Sequence, residues 1–322
     1  MFRILLSVIL LFSLTHATDT LPSWNEGSSK QSIINYVSTV TKEGTVDFIP
    51  VKDRIAVFDN DGTLWSEQPA YFQLFFAMDR VKATASEHPE WKTTEPFKSV
   101  LANDMHGVMK SGEHGLIQIV NATHSGMDVE TFQEEVKEWL KTAKHPTTDR
   151  PYTDLIYQPM MEVIRYLEAN DFKVYIVSGG GIDFMRAFIP EMYAIPEEHI
   201  IGSSGKVHYK DGKIMKDADI YFIDDKETKP LAIYRNIGIR PVAAFGNSDG
   251  DFAMMLYTEA NKKAKTLQLY VHHTDEKREF AYDRKSHIGK LDKGLDYAKE
   301  HNWTIVDMKN EWKIVYPFEL IK

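Results

Sequence analysis

The stretch that decides the fold is Ile55-Ala56-Val57-Phe58-Asp59-Asn60-Asp61-Gly62-Thr63. Its apolar start, with Arg54 before it, is too short for a normal helix, so we predict a buried strand. Asp59 and Asp61 are two positions apart, and in extended backbone they share a face because side chains alternate. Gly62 lets the chain turn sharply behind them. The stretch therefore predicts a strand that ends in a pair of carboxylates.

That carboxylate pair indicates a functional site, because two negative charges held together repel unless a cation or a shared proton offsets the repulsion. Mg²⁺ is the cation we expect, since it binds few protein carboxylates and leaves positions for water and a phosphate oxygen. A solvated turn after a strand is the alternative interpretation. The expected cofactor is therefore Mg²⁺.

Further short apolar segments rich in Val, Ile, Tyr and Phe resemble the first strand. They are residues 173–178, 219–224, 241–246 and 267–272. Helical candidates lie between them, at residues 159–170 and 229–237. This alternation predicts an α/β fold with a doubly wound, mainly parallel, Rossmann-like sheet, in which ligands bind beyond the carboxyl ends of the strands.

More than a hundred residues separate the first predicted strand from the second, and they show helical periodicity. The helical segments are residues 68–87, 113–124 and 128–144. We predict a helical cap at residues 67–152, inserted into a core made of residues 18–66 and 153–322. Residues 200–215 predict a hairpin with an Asp211-Gly212 turn.

The composition limits the classes of function. The 322 residues are 43% hydrophobic and 26% charged, as in an ordinary globular protein. A net charge of −9 argues against nucleic acid as a partner, since binding a phosphate backbone needs a clustered positive surface. The chain has no cysteine, which excludes disulfides, thiolate metal sites and cysteine nucleophiles.

Residues 1–17 have the three parts of a secretory signal peptide. Arg3 is a short basic start, residues 4–14 are apolar, and Thr15-His16-Ala17 places small residues at the cleavage positions. A membrane anchor or a buried first helix is the alternative, but the apolar stretch is too short to span a bilayer. We expect an exported protein, periplasmic or secreted, with no stable membrane association after cleavage.

Two later loops add polar groups at predicted strand ends. Ser178-Gly179-Gly180-Gly181 offers a hydroxyl and accessible backbone N–H groups, which suit a phosphate anion, although a structural turn is an equal alternative. The segment Gly246-Asn247-Ser248-Asp249-Gly250-Asp251 supplies oxygen ligands or residues that orient them. Lys226 and Lys229 lie before and within a predicted helix, and Lys-Pro at a helix start favours Lys229.

Taken in order, Asp59-Asn60-Asp61-Gly62-Thr63, Ser178, Lys229 and Gly246–Asp251 resemble the four motifs of the haloacid dehalogenase (HAD) superfamily. The inserted cap resembles the helical C1-type cap of the phosphoserine-phosphatase-like branch. One position departs from the commonest pattern, because Asn247 stands where the fourth motif often has Asp. Asn is a weaker Mg²⁺ ligand, so we expect Asp251 to carry more of the coordination.

The resemblance implies a role for each motif residue. Asp59 is the expected nucleophile, which forms an aspartyl phosphate, and Asp61 is the expected general acid and base. Lys229 would neutralise the phosphoryl charge. The other implied roles are phosphate binding by Ser178, Gly179, Gly180 and Thr63, and Mg²⁺ binding by Asp59, Asp61, Asn247 and Asp251.

These residues predict an exported, Mg²⁺-dependent phosphomonoester hydrolase that acts on a small phosphorylated molecule. A phosphotransferase would keep the same residues, and a catalytically silent protein or secreted effector that binds a phosphate ligand is a further alternative. The intact nucleophile and acid argue against silence. For Glu67, contact with a substrate amine and a plain surface or hinge role both stay open.

Overall fold

The structure is a computed structural model that describes residues 19–321. The predicted signal peptide lies outside the described residues. Within residues 19–321, no helix combines the length and the apolar composition that crossing a membrane requires.

Seven strands form one sheet in the order β4-β3-β2-β1-β5-β6-β7. They are β1 (Ile55–Phe58), β2 (Lys173–Gly181), β3 (Ile200–Lys210), β4 (Lys213–Phe222), β5 (Ala243–Gly246), β6 (Leu267–His272) and β7 (Thr304–Asp307). Each neighbouring pair is parallel except β3 and β4, which are antiparallel. The predicted α/β class with a mainly parallel sheet is confirmed.

Helices flank this sheet and connect its strands. They are α1 (Ser28–Thr41), α2 (Phe72–Thr84), α3 (Phe97–Leu101), α4 (Met105–Lys110), α5 (Gly112–His124), α6 (Val129–Thr142), α7 (Gln158–Glu168), α8 (Ile182–Arg186), α9 (Ile189–Tyr193), α10 (Thr228–Asn236), α11 (Phe252–Glu259), α12 (Lys293–Glu300) and α13 (Met308–Glu311). Helices α2 to α6 lie in the predicted cap, whose status as a separate domain stays a prediction.

Strand β1 lies at the centre of the sheet and is buried on both faces. Ala56 and Phe58 pack in one apolar cluster, while Ile55 and Val57 pack in the other. This alternation follows from the period of two in a strand. The ring of Phe58 stacks on Phe245 of β5, with 4.1 Å between the ring centroids. The core therefore fixes the carboxyl end of β1, and Asp59 is the next residue along the chain.

The predicted buried, parallel strand at residues 219–224 is wrong. Residues 219–222 are the end of β4, which pairs antiparallel with β3 at the edge of the sheet. Tyr221 is 73% exposed there. An apolar and aromatic segment suits an exposed hairpin as well as a buried strand, so composition alone misplaced it. The turn of this hairpin does lie at Asp211 and Gly212, both with positive φ.

The hairpin also contacts the predicted cap. Gly126 N–H donates to the Lys216 carbonyl, and Lys216 N–H donates to the Met127 carbonyl, both at 2.9 Å. The Lys213 ammonium lies 2.9 Å from an oxygen of Asp128, which also caps α6. Hairpin and cap helices thus close around the carboxyl ends of the central strands.

Candidate active site

A cavity of about 420 Å³ opens at the carboxyl ends of β1 and β2. Most of the sequence-predicted site residues border it, although they are spread over the whole chain. They are Asp59, Asp61, Ser178, Gly179, Gly180, Lys229 and Asp251. Parallel strands bring their carboxyl ends to one edge of the sheet, which is why these distant segments meet.

Lys229 is the buried cation of the site. Its side chain is 2% exposed, and Nζ donates to Asp59 Oδ1 at 2.7 Å, Asp251 Oδ1 at 2.6 Å and the Val177 carbonyl at 2.9 Å. Burial lowers the pKa of Lys229, but the charges of Asp251 and Asp59 outweigh this and raise it above its ordinary value. Lys226 is exposed and lies beside Asp225. The structure therefore places Lys229, and not Lys226, in the site.

Asp59 follows β1 and presents one oxygen to the cavity. Oδ1 accepts the Lys229 hydrogen bond, and none of residues 19–321 donates to Oδ2. Burial and the charge of Asp251 raise the pKa of Asp59, while Lys229 lowers it. The oxygen that faces the cavity is the one that could attack phosphorus.

Asp61 is held by the indole of Trp65. Trp65 Nε1 donates to Asp61 Oδ1 at 2.8 Å, and the ring of Trp65 stacks on Phe188 with 4.5 Å between centroids. Burial raises the pKa of Asp61 to about 6, although the Trp65 hydrogen bond lowers it. A carboxyl with this pKa can hold a proton at mildly acidic pH and release it near neutrality, as a general acid and base must.

The glycine loop after β2 lies against this acid. Ser178 is buried, and its Oγ accepts from Gly180 N–H at 3.1 Å. A Cβ added at Gly180 would lie 3.4 Å from Ser178 Oγ and 3.5 Å from Asp61 Oδ2. The serine, the glycine backbone and the acid thus surround one small space. Gly181 N–H is engaged elsewhere, because it donates to Gln73 Oε1 of α2 at 2.7 Å.

Two of the predicted site residues do not border the cavity. Thr63 is fully buried and its Oγ1 donates to Asn247 Oδ1 at 3.1 Å, so the hydroxyl orients Asn247. Asn247 is buried at the end of β5. Its Nδ2 donates to Glu67 Oε1 at 2.6 Å, which turns the amide away from the cavity.

Asp251 borders the cavity, but both of its carboxylate oxygens are engaged. Oδ1 accepts from Lys229, and Oδ2 accepts from the backbone N–H groups of Asn247 and Ser248, each at 3.0 Å. Metal coordination by Asp251 stays a prediction, and in this structure Lys229 and the loop backbone hold its carboxylate. The loop of the fourth motif folds around Asp251, and Asp251 in turn binds Lys229.

Glu67 is buried in the site, so it does not have the surface role that the sequence left open. It is 2% exposed, borders the cavity, and its Oε1 accepts from Tyr282 OH at 2.8 Å as well as from Asn247. Burial raises its pKa. His273 supports the same corner, since its Nε2 donates to the Gly62 carbonyl at 2.7 Å and its ring stacks on Tyr282. Tyr282 and His273 come from the segment after β6, which shows no motif in the sequence.

The donor set fits a hard divalent cation that keeps several water ligands. Among residues 19–321, no three Asp, Glu, His or Cys side chains form a ready-made metal cage. Asp59, Asp61 and Glu67 are among the carboxylates that border the cavity. Mg²⁺ is held in proteins by one or two carboxylates together with waters and substrate phosphate, and these residues match that pattern.

The far side of the cavity is mostly apolar. Its lining comes from α2, α5, α6, α8 and the hairpin, and includes Leu74, Leu116, Val120, Phe132, Phe184 and Ile220. Polar groups interrupt it. His124 Nε2 lies 3.2 Å from Gln73 Nε2, and the Lys216 ammonium pairs with Asp183. Burial lowers the pKa of His124 to about 3, so this imidazole is neutral at physiological pH.

Comparisons with known proteins agree with this arrangement. The family profile of haloacid dehalogenase-like hydrolases matches residues 56–256. No curated protein matches the chain significantly.

Solved structures share the fold at low sequence identity. A functionally unknown protein from Anaerococcus prevotii DSM 20548 is 16% identical, with 92% of this chain and 97% of that chain covered and a TM-score of 0.56. A protein of unknown function from Bordetella pertussis Tohama I is 15% identical, with 79% and 98% covered and a TM-score of 0.51. These likenesses support the fold and carry no information on the reaction.

Proposed function

Because this chain belongs to the haloacid dehalogenase-like hydrolase family, we propose that it hydrolyses phosphate monoesters through an aspartyl phosphate on Asp59. The membership that the four motifs predicted is confirmed by the family match over residues 56–256. The observation that supports the finer proposal is the grouping of a nucleophile, its paired acid and a buried cation in one cavity.

In the first half of the reaction, Asp59 Oδ2 attacks phosphorus and a new P–O bond forms. The bond between phosphorus and the leaving oxygen breaks, and the Asp61 carboxyl gives its proton to that oxygen, so an alcohol departs. Trp65 keeps Asp61 oriented toward the leaving group through the 2.8 Å hydrogen bond. Ser178 and the backbone of Gly179 and Gly180 are placed to hold the phosphoryl oxygens.

In the second half, a water molecule attacks the phosphorus of the aspartyl phosphate. Asp61, now a carboxylate, takes a proton from this water, and the bond between phosphorus and Asp59 Oδ2 breaks to release inorganic phosphate. Lys229 stays protonated between Asp59 and Asp251 and stabilises negative charge in both halves. Asp61 returns to its starting state.

Mg²⁺ is the cofactor in this proposal, and the carboxylate of Asp59 together with the backbone carbonyl of Asp61 would hold it. When bound, it would supply positive charge that offsets the acidic groups and the phosphoryl oxygens. The fit rests on the donor set at the cavity, which has free carboxylate oxygens and no sulfur or cage of imidazoles.

The substrate in this proposal is a small molecule. A cavity of about 420 Å³ lies within the range of small-molecule sites. Its apolar wall suits a phosphate ester with an apolar or aromatic part. Hairpin and cap helices close around this space, so a folded phosphoprotein would not reach Asp59 without their displacement.

The test is hydrolysis of a nitrophenyl phosphate by the chain without residues 1–17, in the presence of Mg²⁺. We expect release of phosphate, and we expect Asp59→Asn and Asp61→Asn each to abolish turnover. Asp211→Asn is the matched control, because Asp211 lies exposed in the hairpin turn, where Asn tolerates the same positive φ. Equal residual rates in the wild type and Asp59→Asn would refute the proposed enzyme.

Export is part of the proposal, and residues 1–17 support it through their basic start, apolar stretch and small residues before the cleavage point. Expression of the whole chain in a bacterium, followed by fractionation, would give a periplasmic or secreted product that starts at residue 18. An intact chain that starts at Met1 and stays in the cytoplasmic fraction would contradict export.

A further inference from the structure

Glu67 has a free carboxylate oxygen at the cavity. Its Oε1 accepts two hydrogen bonds, from Asn247 Nδ2 and Tyr282 OH. None of residues 19–321 donates a hydrogen bond to Oε2, and this oxygen is not fully buried. Since Glu67 borders the cavity while it is 2% exposed, Oε2 faces into that cavity.

Two glycines and two hydrogen-bond donors surround Oε1 of this carboxylate. A Cβ at Gly62 would lie 2.3 Å from Glu67 Oε1, and a Cβ at Gly289 would lie 2.0 Å from it. Real Cβ atoms cannot come so close, so Oε1 reaches its place only because both positions lack a side chain. The fold thus fixes Oε1 and leaves Oε2 without a hydrogen bond from residues 19–321.

Neither expected ligand of the fourth motif presents a carboxylate oxygen without a hydrogen bond to the same space. Asn247 is neutral, is buried behind Glu67 and does not border the cavity. Asp251 has both oxygens engaged, by Lys229 and by two backbone N–H groups. The side of the site next to Asn247 would therefore lack an anionic ligand unless Glu67 provides it.

The alternative role for Glu67 is recognition of a substrate amine. Its contacts speak against this, because Asn247, Tyr282, Gly62 and Gly289 all lie in the core and none lies in the cap helices α2 to α6. Asp59 and Asp61 border the same cavity as Glu67. Negative charges that share a cavity repel unless a cation or a shared proton offsets the repulsion.

We propose that Glu67 is a ligand of the divalent cation, through Oε2, and takes the place that the sequence assigns to Asn247. Asn247 is then a positioning residue, which holds Oε1 through its amide while Thr63 holds the other side of that amide. This inference rests on the proposed function, because it assumes that the site binds a cation.

The experiment measures Mn²⁺ binding by electron paramagnetic resonance in the absence of any substrate. We expect Glu67→Gln to weaken Mn²⁺ binding by about tenfold or more, since it removes a charged ligand. Thermal melting of each variant checks that it is folded.

Asn247→Ala is a second test variant, and its Mn²⁺ affinity is compared with that of Glu67→Gln. If Glu67 is the ligand, Asn247→Ala should weaken Mn²⁺ binding less than Glu67→Gln does, because Tyr282 still holds the carboxylate. A greater loss in Asn247→Ala than in a folded Glu67→Gln variant would make Asn247 the ligand and overturn the proposal.

The outcomes also separate this inference from the proposed function. Unchanged Mn²⁺ affinity in a folded Glu67→Gln variant would overturn the role of Glu67 alone, and hydrolysis by the wild type would stand. If the wild type binds no Mn²⁺ at all, the metal dependence in the proposed function fails together with this inference. A smaller loss of Mn²⁺ affinity in Asn247→Ala than in Glu67→Gln supports it.

Discussion

Lys229 and Asp59 are 170 positions apart in the chain, and Lys229 Nζ lies 2.7 Å from Asp59 Oδ1. The ammonium also holds Asp251 at 2.6 Å, so one buried cation serves two buried carboxylates. Charges buried in this way are costly unless they are paired and hydrogen-bonded, and Lys229 makes three such bonds. The pair therefore links the stability of the core to its reactivity.

Lys229→Met tests this link. It leaves Asp59 and Asp251 buried without their counter-charge, so we expect a stability loss of roughly 3 to 5 kcal/mol at neutral pH. Turnover should fall about 10²- to 10³-fold, because the cation that stabilises phosphoryl charge is gone. Denaturant unfolding and steady-state kinetics measure the two effects. Lys226→Met is the control, since Lys226 is exposed, and a similar loss in that variant would contradict the assignment.

Trp65→Phe tests the orientation of the acid. Phenylalanine keeps an aromatic ring against Phe188 but removes the Nε1–H that donates to Asp61. We expect kcat to fall roughly tenfold with little change in KM, because the hydrogen bond orients the proton donor rather than binding the substrate.

The pH profile distinguishes this role from a loss of packing. Burial raises the pKa of Asp61 and the Trp65 hydrogen bond lowers it, so the variant should lose its activity at a higher pH than the wild type. Trp139→Phe is the control, because its Nε1 donates to Asp79, away from the cavity. An unmoved profile in Trp65→Phe would reduce Trp65 to a packing residue.

Gly62→Ala tests the close contacts behind the first motif. Gly62 has a φ of +74°, and a Cβ there would lie 2.1 Å from Asn247 Nδ2 and 2.3 Å from Glu67 Oε1. We expect lost turnover, weaker Mn²⁺ binding and a lower melting temperature, because the Asn247 and Glu67 side chains must move.

Gly212→Ala separates backbone strain from these contacts. Gly212 has a φ of +86° but nothing lies within 4 Å of its Cβ position. It should lose only about 1 kcal/mol, which is the cost of left-handed backbone, with unchanged kinetics. Equal effects of the two substitutions on turnover would show that the contacts around Gly62 do not matter.

Asp224→Asn tests a buried carboxyl outside the proposed machinery. Asp224 is fully buried, and neither of its oxygens has a hydrogen-bond partner among residues 19–321. Burial raises its pKa to about 7 from an ordinary value of 3.8. Between these two pH values the folded state holds a proton that the unfolded state has lost. Stability should therefore fall as pH rises through this range and then level off.

The variant lacks this titration, so it should match the wild type near pH 4 and exceed it near pH 8. The difference at high pH should be on the order of a few kcal/mol. Urea unfolding across that range measures it, with the exposed Asp211→Asn as control. A difference between Asp224→Asn and the wild type that does not change with pH would contradict the raised pKa.

Much of the fold could be predicted because it depends on local patterns. Short apolar segments that alternate with helical periodicity predict a parallel α/β sheet from neighbouring residues alone. The edge strand β4 was misplaced, since its apolar and aromatic residues face solvent in a hairpin, and a segment's composition does not report which neighbour it pairs with.

By itself, the sequence determined the family and the motif order, and it supplied Asp59 and Asp61 as candidates for the nucleophile and its acid, because these are read along the chain. Only the tertiary structure decided which lysine reaches Asp59, that Asp251 is already engaged, and that Thr63 and Asn247 turn from the cavity. It also brought Glu67 to Tyr282 across 215 positions. The physical reason is that each of these side chains owes its orientation to partners remote in sequence, which no local pattern encodes.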